Sequence, residues 1–276
     1  MHESLRDLRH PIVIAAFEGW NDAADSATEA VNHLMTAYPT ELAWELDCED
    51  YYDFQVSRPR IVLGESGREL EWPSTGVYVC HLDDRDLVLV FGPEPNLRWR
   101  SFASALVSVF RSIEPDMVIL LGAMLTDAPH TRPVMVTGGT NSRRLKKRLG
   151  LESSNYEGPT GIVGVLNDAC RAANLTVVSL WASVPHYAAA PPNPKATLAL
   201  LARLEDILET RLDLQELPQL ARSWEHGVNE LATEDPDVAE YIAKLEEAHD
   251  ESSIPVINGD SIAAEFERYL RRRDQS

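Results

Sequence analysis

The segment IVIAAFEGWND, at residues 12–22, decides the fold, because six apolar residues run without a break into a polar turn. Such a run is typical of a strand that is buried on both faces, as in a parallel sheet. Three further runs of this kind also end in clusters of Gly, Pro and polar residues, at residues 87–91, 117–121 and 177–181. The four runs predict the buried, parallel core of one sheet.

Helical patterns alternate with these runs, which predicts an α/β fold with right-handed crossovers. The predicted helices of this part lie at residues 23–38, 96–112, 141–149 and 160–173. Asn21 or Asp22, Asn96 and Thr160 are the candidate N-caps. Shorter antiparallel or edge strands are predicted at residues 40–46, 54–56, 60–63, 69–72, 77–80 and 134–137.

After Pro194 the sequence shows only helical patterns, and Pro194 itself is expected at the first position of a long helix. Helices are predicted at residues 195–211, 216–232, 238–248 and 261–273. We therefore expect an α/β domain at residues 1–200 and an acidic helical extension at residues 201–276 that packs on it.

Composition excludes several classes of protein. The net charge of −19 disfavours nonspecific nucleic-acid binding, which depends on neutralising phosphates. No apolar run approaches the length of a membrane span, and the N-terminal residues lack the apolar stretch of a signal peptide. Three widely separated cysteines predict neither a disulfide framework nor a zinc site. We expect a cytoplasmic protein that binds neither a metal nor a cofactor.

Ligands of open α/β sheets bind beyond the carboxyl ends of the parallel strands, so the loops there hold the candidate site. The candidates for lining a cleft or binding a ligand are Glu18, Asn21, Asp22, His130, Arg132, Tyr156, Thr160 and His186. No catalytic residue is assigned among them.

Each candidate also has a structural interpretation. Glu18 is an acid/base candidate or a group that orients a ligand. Asn21 and Asp22 are favoured as caps of the following helix over an anion site at its N-terminus. His130 and Arg132 are suited to an anionic group, but a rigid loop closed by Arg132 and a buried acid such as Asp127 is slightly favoured.

For two further loops, a functional and a structural interpretation are again both possible. Backbone amides near Tyr156 and Thr160 are suited to a phosphate or carboxylate, although a tight turn capped by Thr160 is favoured. His186 and Tyr187 line a cleft, form a subunit contact or pack a wide turn. A basic cluster, formed by Arg143, Arg144, Lys146, Lys147 and Arg148, is more typical of a solvated helix face than of a docking site.

The loop segments are more specific than any single residue. They read FEGWNDA at residues 17–23, RP at 58–59, DAPHTRP at 127–133, YEGPTG at 156–161, SLWASVPHY at 179–187 and PPNPKAT at 191–197. Together they closely resemble the PAC2 family, the proteasome-assembly-chaperone-2-like proteins, in its actinobacterial branch.

The resemblance implies a three-layer α/β sandwich of the phosphorylase/hydrolase type and a homo-oligomer such as a trimer. It also implies a protein-binding or assembly-chaperone-type function with proteasome-related partners. The acidic charge and the lack of a long apolar run, in contrast, are the reasons for expecting neither a nucleic-acid nor a membrane partner. The alternative is a small-molecule hydrolase, phosphorylase or ligand-binding protein, with a cleft at the carboxyl ends of the strands. Whether the chain is an enzyme stays open at this point.

Overall fold

The computed structural model describes residues 3–64, 67–151 and 156–252 of the chain. The strands in these residues are β1 (Ile12–Glu18), β2 (Thr40–Leu46), β3 (Arg60–Gly64), β4 (Gly67–Glu71), β5 (Thr75–His81), β6 (Asp86–Pro93), β7 (Met117–Thr126), β8 (Val136–Thr140) and β9 (Val177–Pro185). The α-helices are α1 (Ser26–Ala37), α2 (Trp99–Ile113), α3 (Arg143–Leu149), α4 (Ile162–Ala172), α5 (Pro194–Leu208), α6 (Leu217–Glu234) and α7 (Pro236–Ser252).

Seven strands form one sheet in the order β2-β5-β6-β1-β7-β9-β8. The four central strands, β6, β1, β7 and β9, are parallel to one another, whereas the outer strands pair antiparallel. These central strands contain the four apolar runs, so the predicted parallel core is confirmed. The antiparallel outer strands are the shorter segments that the sequence predicted at the edges.

Strand β1 illustrates why the runs show no alternation of polar and apolar residues. Ile12, Ile14 and Ala16 belong to a core cluster on one face of the sheet, together with residues of α1 and α5. Val13 and Phe17 belong to a second cluster, which includes residues of α2 and α4. Helices therefore cover both faces, and the predicted three-layer sandwich is confirmed. A buried Val, Leu, Ile or Phe side chain contributes about 1.5–3 kcal/mol to such a core.

One predicted strand and one predicted helix cap are wrong. The segment at residues 54–56 is a turn, because the amides of Val56 and Ser57 donate to the carbonyl of Asp53. Asn96 is not the cap of α2, which begins after Arg98. Its side-chain oxygen instead accepts bonds from the Asp53 amide at 2.9 Å and from the Ser57 hydroxyl at 3.1 Å.

The chain after β9 follows the predicted pattern at its start. Pro194 is the first residue of α5, and the side chain of Asn193 accepts a hydrogen bond from the amide of Ala196 at 3.0 Å. The predicted helix at residues 261–273 lies outside the described residues. The chain divides into two compact units between Asn229 and Glu230, inside α6, and the domain boundary near residue 200 stays a prediction.

The basic cluster forms α3, and its cationic residues are exposed. Arg148 forms an ion pair with Glu209 and donates a hydrogen bond to the carbonyl of Ile207 at 3.0 Å. Both partners lie at the carboxyl end of α5, where a cation is favoured by the helix dipole. Arg148 therefore has a structural role in joining α3 to α5.

Strands β3 and β4 form a separate two-stranded sheet, called here the β3–β4 hairpin, and every residue of the two strands is exposed. In its register Ile61 lies opposite Leu70, and Leu63 lies opposite Arg68. Opposed residues of an antiparallel pair share a face, so these three apolar side chains lie on one face of the hairpin.

Candidate functional site

The carboxyl ends of the four parallel strands lie along one edge of the sheet. Glu18 of β1 is in register with Pro93 of β6, and Thr126 of β7 with Pro185 of β9. The loops that carry the candidate residues leave the sheet from this edge, as their positions after the apolar runs indicated. Their side chains nevertheless belong to several different environments.

Asn21 does not hold the N-cap position of a helix, contrary to the favoured interpretation, and only 1% of its surface is exposed. Its Nδ2 donates to Oε1 of Glu94 at 2.6 Å, and its carbonyl accepts a bond from the Ala123 amide at 2.8 Å. The same Glu94 oxygen accepts from the amide of Ile162, the first residue of α4, at 2.8 Å. A Cβ at Gly161 would lie 2.3 Å from the Asn21 side chain, so this glycine permits their close contact.

The N-cap position of α1 is Asp25 and not Asp22, but the carboxylate of Asp22 binds amides in the first turn of that helix. This carboxylate accepts bonds from the amide of Ala27 at 2.6 Å, from the amide of Thr28 at 3.2 Å and from the Thr28 hydroxyl. Burial raises the pKa of Asp22 to about 6, Asp25 adds to this increase, and the three hydrogen bonds reduce it. The single helix predicted from residue 23 is interrupted here, since Ala24 and Asp25 adopt positive φ angles before α1 begins.

His130 is buried, with 2% of its surface exposed. The hydroxyl oxygen of Tyr187 accepts a bond from the His130 amide at 2.7 Å and lies 2.8 Å from Nδ1. The other ring nitrogen, Nε2, lies 3.0 Å from Oδ1 of Asn229, and the ring packs edge-on against Trp224. This pattern fits the tautomer in which Nδ1 accepts from Tyr187 and Nε2 donates to Asn229.

The backbone of the same loop is bound from α5. Lys195 donates a hydrogen bond to the carbonyl of His130, and its ammonium group lies 2.5 Å from the carboxylate of Glu225 on α6. The side chain and the main chain of His130 are thus both used in joining this loop to α5 and α6. This environment supports a structural role for His130.

Arg132 and His186 lie in more open parts of the loops. Arg132 is partly buried and contacts the hydroxyl of Thr131 at 3.5 Å. Asp127, proposed above as a buried acid, is exposed and lies 3.3 Å from Nδ1 of His186. The same His186 nitrogen lies 3.4 Å from the carbonyl of Thr126.

Tyr156 and Thr160 are exposed residues of the loop before α4. The Tyr156 hydroxyl donates to the carbonyl of Pro159 at 2.9 Å. Thr160 is not the cap of α4, because Gly161 holds the N-cap position and makes no side-chain bond there. Glu94 binds the free amide of Ile162 instead, so the cap comes from another loop.

Glu18 lines a cavity of about 380 Å³ that is separate from the His130 loop. Among the described residues, the lining includes none of the other seven candidates. It is formed with Arg58, Arg60, Trp72 and Phe91, which come from the end of β6 and from the hairpin and the loops flanking it. Partial burial raises the pKa of Glu18, and Asp25 acts in the same direction, whereas Arg60 lowers it.

Glu94 and Trp72 also lie at this edge of the sheet but are not among the residues predicted from the sequence. Glu94 had a detectable signal, because it lies in the polar cluster directly after a buried strand. Trp72 had none, since only the fold of the hairpin brings it to the end of β1. Within residues 3–64, 67–151 and 156–252, no three His, Cys, Asp or Glu side chains are arranged to hold a metal. The helices in these ranges include none with the length and apolar character needed to cross a bilayer.

The sequence model of the PAC2 family matches residues 16–232 of the chain. The chain belongs to the PAC2 family. Its match to the family model extends from β1 into α6 and so includes every candidate residue discussed above.

Two solved PAC2-type structures are similar over most of their length. A PAC2 family protein from Streptomyces avermitilis is 52% identical with a TM-score of 0.80, and the match covers 84% of this chain and 99% of that one. A proteasome-assembly chaperone homologue from Mycobacterium tuberculosis is 47% identical with a TM-score of 0.77, with the same coverage of both chains.

A solved structure with much lower sequence identity has a similar fold. An archaeal proteasome activator from Pyrococcus furiosus is 16% identical with a TM-score of 0.66, and the match covers 82% of this chain and 94% of that one. At this identity the likeness concerns the fold alone. No curated protein matches the chain.

Proposed function

We propose that this PAC2 protein is an assembly-chaperone-type factor that binds other proteins, and that its partners are proteasome subunits. The observation that carries the proposal is its 47% identity with a protein described as a proteasome-assembly chaperone homologue, which it matches over 99% of that chain. The archaeal relatives described as a proteasome activator and as a homologue of proteasome-assembly chaperone share the fold and agree with this assignment.

The β3–β4 hairpin supplies a suitable surface for a protein partner. Ile61, Leu63 and Leu70 on its apolar face are 56%, 88% and 50% exposed. A two-stranded hairpin is only marginally stable by itself in water, so a partner that covers this face would also stabilise the hairpin. Exposed apolar patches of this kind often mark protein-binding surfaces.

We infer a cytoplasmic homo-oligomer, such as a trimer, as the working form. The described cysteines Cys48, Cys80 and Cys170 are all free thiols, which agrees with a reducing compartment. A hydrolase or phosphorylase is not proposed, because His130 is buried and both of its ring nitrogens are within hydrogen-bond distance of protein groups.

The test uses purified proteasome α-type and β-type subunits of the same organism, mixed with the full-length protein and followed by analytical ultracentrifugation. We expect a complex with unassembled subunits and a faster formation of assembled rings. A Leu63→Asp variant should weaken the complex at least about tenfold, the loss expected for about 1.4 kcal/mol.

The matched control is Leu42→Asp, which places the same charge at an exposed leucine of the edge strand β2. This variant should bind like the wild type. The proposal fails if the wild-type protein forms no complex with any proteasome subunit. An effect of Leu63→Asp on self-association alone would assign the apolar face to the oligomer.

A further inference from the structure

The cavity at the end of β1 has an amphiphilic lining, part of which comes from strands β3 and β4. Its volume of about 380 Å³ lies at the lower end of the range for small-molecule sites in proteins. It opens between the carboxyl ends of β1 and β6 and the base of the β3–β4 hairpin. The lining residues that the structure describes belong to the unit that ends at Asn229.

The charged groups of the lining leave one cation and one carboxylate available. Arg60 and Glu71 form an ion pair of 3.2 Å across the hairpin. In the described part of the chain, neither the guanidinium of Arg58 nor the carboxylate of Glu18 has a hydrogen bond or an ion pair. Both groups line the cavity, so it presents opposite charges to a ligand.

Aromatic side chains form the apolar part of the lining. Trp72 is oriented by an edge-on contact with Phe54, with 4.8 Å between the ring centroids. Tyr78 and Phe91 are half-buried residues of β5 and β6 that line the same cavity. Such walls favour an apolar or aromatic group, because ring faces and edges give large contact areas with defined geometry.

We propose that this cavity binds a small zwitterion with an apolar side chain, namely a free amino acid or a dipeptide with both ends unblocked. Glu18 accepts hydrogen bonds from the α-ammonium group, and Arg58 binds the carboxylate through its planar guanidinium. The apolar side chain packs against Trp72, Tyr78 and Phe91. The proposal of this ligand site does not rest on the proposed chaperone function.

The test is a calorimetric titration of the full-length protein with four probes that differ in their ends. Two of them, phenylalanine and the dipeptide phenylalanylphenylalanine, have both charged ends. N-acetylphenylalanine lacks the ammonium group, and phenylalaninamide lacks the carboxylate. Phenylalanine or the dipeptide should bind most tightly. Each blocked end should weaken binding by about 10- to 100-fold, because a hydrogen bond to a charged group is lost. The tighter of the two unblocked probes identifies the size of the natural ligand.

Two variants assign the charges to their residues. Glu18→Gln should weaken the binding of phenylalanine and of phenylalaninamide, which both carry the ammonium group. It should leave the affinity for N-acetylphenylalanine at its wild-type value. Arg58→Gln should weaken the binding of phenylalanine and of N-acetylphenylalanine, which both carry the carboxylate. It should leave the affinity for phenylalaninamide unchanged. Arg68→Gln removes an exposed arginine of β4 outside the cavity lining and should change none of the four affinities.

Thermal melting of each variant checks that it remains folded. The proposal is overturned if none of the four probes binds the wild-type protein at millimolar concentration. It is also overturned if the blocked probes bind as tightly as phenylalanine. A further contrary result would be that each variant weakens the binding of all four probes equally. A loss of proteasome binding with intact phenylalanine binding would refute the chaperone function and leave this site in place.

Discussion

Asn21 and Glu94 are joined by a hydrogen bond of 2.6 Å, and the Glu94 oxygen that accepts it also binds the amide of Ile162. One carboxylate oxygen therefore connects the loop after β1, the end of β6 and the first turn of α4. A negative charge at a helix N-terminus is favoured by the free amides and by the helix dipole. Glu94 thus holds the loop after β1 and the start of α4 together at this edge of the sheet.

We expect Glu94→Ala to lower the free energy of unfolding by about 1–3 kcal/mol, because it leaves a buried amide of Asn21 and a helix N-terminus without their acceptor. Glu94→Gln should cost less, since its side-chain oxygen can still accept. Urea unfolding monitored by circular dichroism measures both changes. The control is Glu41→Ala on the exposed edge of β2, which should change stability by less than about 0.5 kcal/mol. Equal losses in Glu94→Ala and Glu41→Ala would contradict this role.

Two glycines should respond to alanine in opposite directions. Gly161→Ala places a Cβ 2.3 Å from the side chain of Asn21, which is buried and cannot move without losing its bond to Glu94. We expect a loss of about 1–3 kcal/mol, typical of overpacking. Gly227 lies inside α6 with open space around its Cβ position, so Gly227→Ala should stabilise by about 0.5–1 kcal/mol.

Thermal melts of the two glycine variants under one condition give the comparison. A lower melting temperature for both would mean that the Gly227 side of α6 is more crowded than its contacts indicate. An unchanged melting temperature for Gly161→Ala would mean that the Asn21 side chain can rearrange. The hydrogen bonds of Glu94 would then contribute little to stability.

The parallel core was predictable because its signal is local: each central strand is buried on both faces, and unbroken apolar runs such as that of β1 follow directly. The position of the candidate loops at one edge followed from the same runs. The cap of α4 was not predictable, since Glu94 is 68 residues distant from Ile162 and no local pattern joins them. Thr160 had the right residue type for a cap, but the turn before α4 places Gly161 at that position.

The separation of Glu18 from His130 also depends on contacts that are distant in sequence. The residues that bind His130 include positions 187, 195 and 229, on the chain after β9. The residues that enclose Glu18 come from the hairpin and its flanking loops, where periodicity predicted strands but not their placement. Residues 54–56 resembled a strand by composition, yet Asp53 binds the backbone there into a turn.

Tyr187→Phe should lower the free energy of unfolding by about 1–3 kcal/mol. The change removes the hydroxyl that binds the buried amide and the Nδ1 atom of His130, and an unpaired buried donor is costly. The matched control is Tyr156→Phe, which removes an exposed hydroxyl and should cost less than about 0.5 kcal/mol. Chemical denaturation of both variants measures the difference, and similar losses in the two would argue against the importance of the His130 contact.

Asp22 should make stability fall as the pH rises. Burial raises its pKa to about 6 in the folded protein, compared with about 3.9 in an unfolded chain. Between these values the folded state holds the extra proton, so the contribution of Asp22 is fully present below about pH 4 and is lost as the pH rises through 6. The size of this contribution is up to about 3 kcal/mol.

The Asp22→Asn variant removes this titration, whatever its own effect on stability. Relative to the wild type, its free energy of unfolding should rise by about 2–3 kcal/mol between pH 4 and pH 7, measured by urea unfolding at half-unit steps. The hydroxyl of Thr28 lowers the pKa of Asp22, so Thr28→Val should move the wild-type fall in stability to higher pH. Parallel pH curves for the wild type and Asp22→Asn would rule out a raised pKa for this carboxyl, because a group that titrates equally in both states contributes no slope.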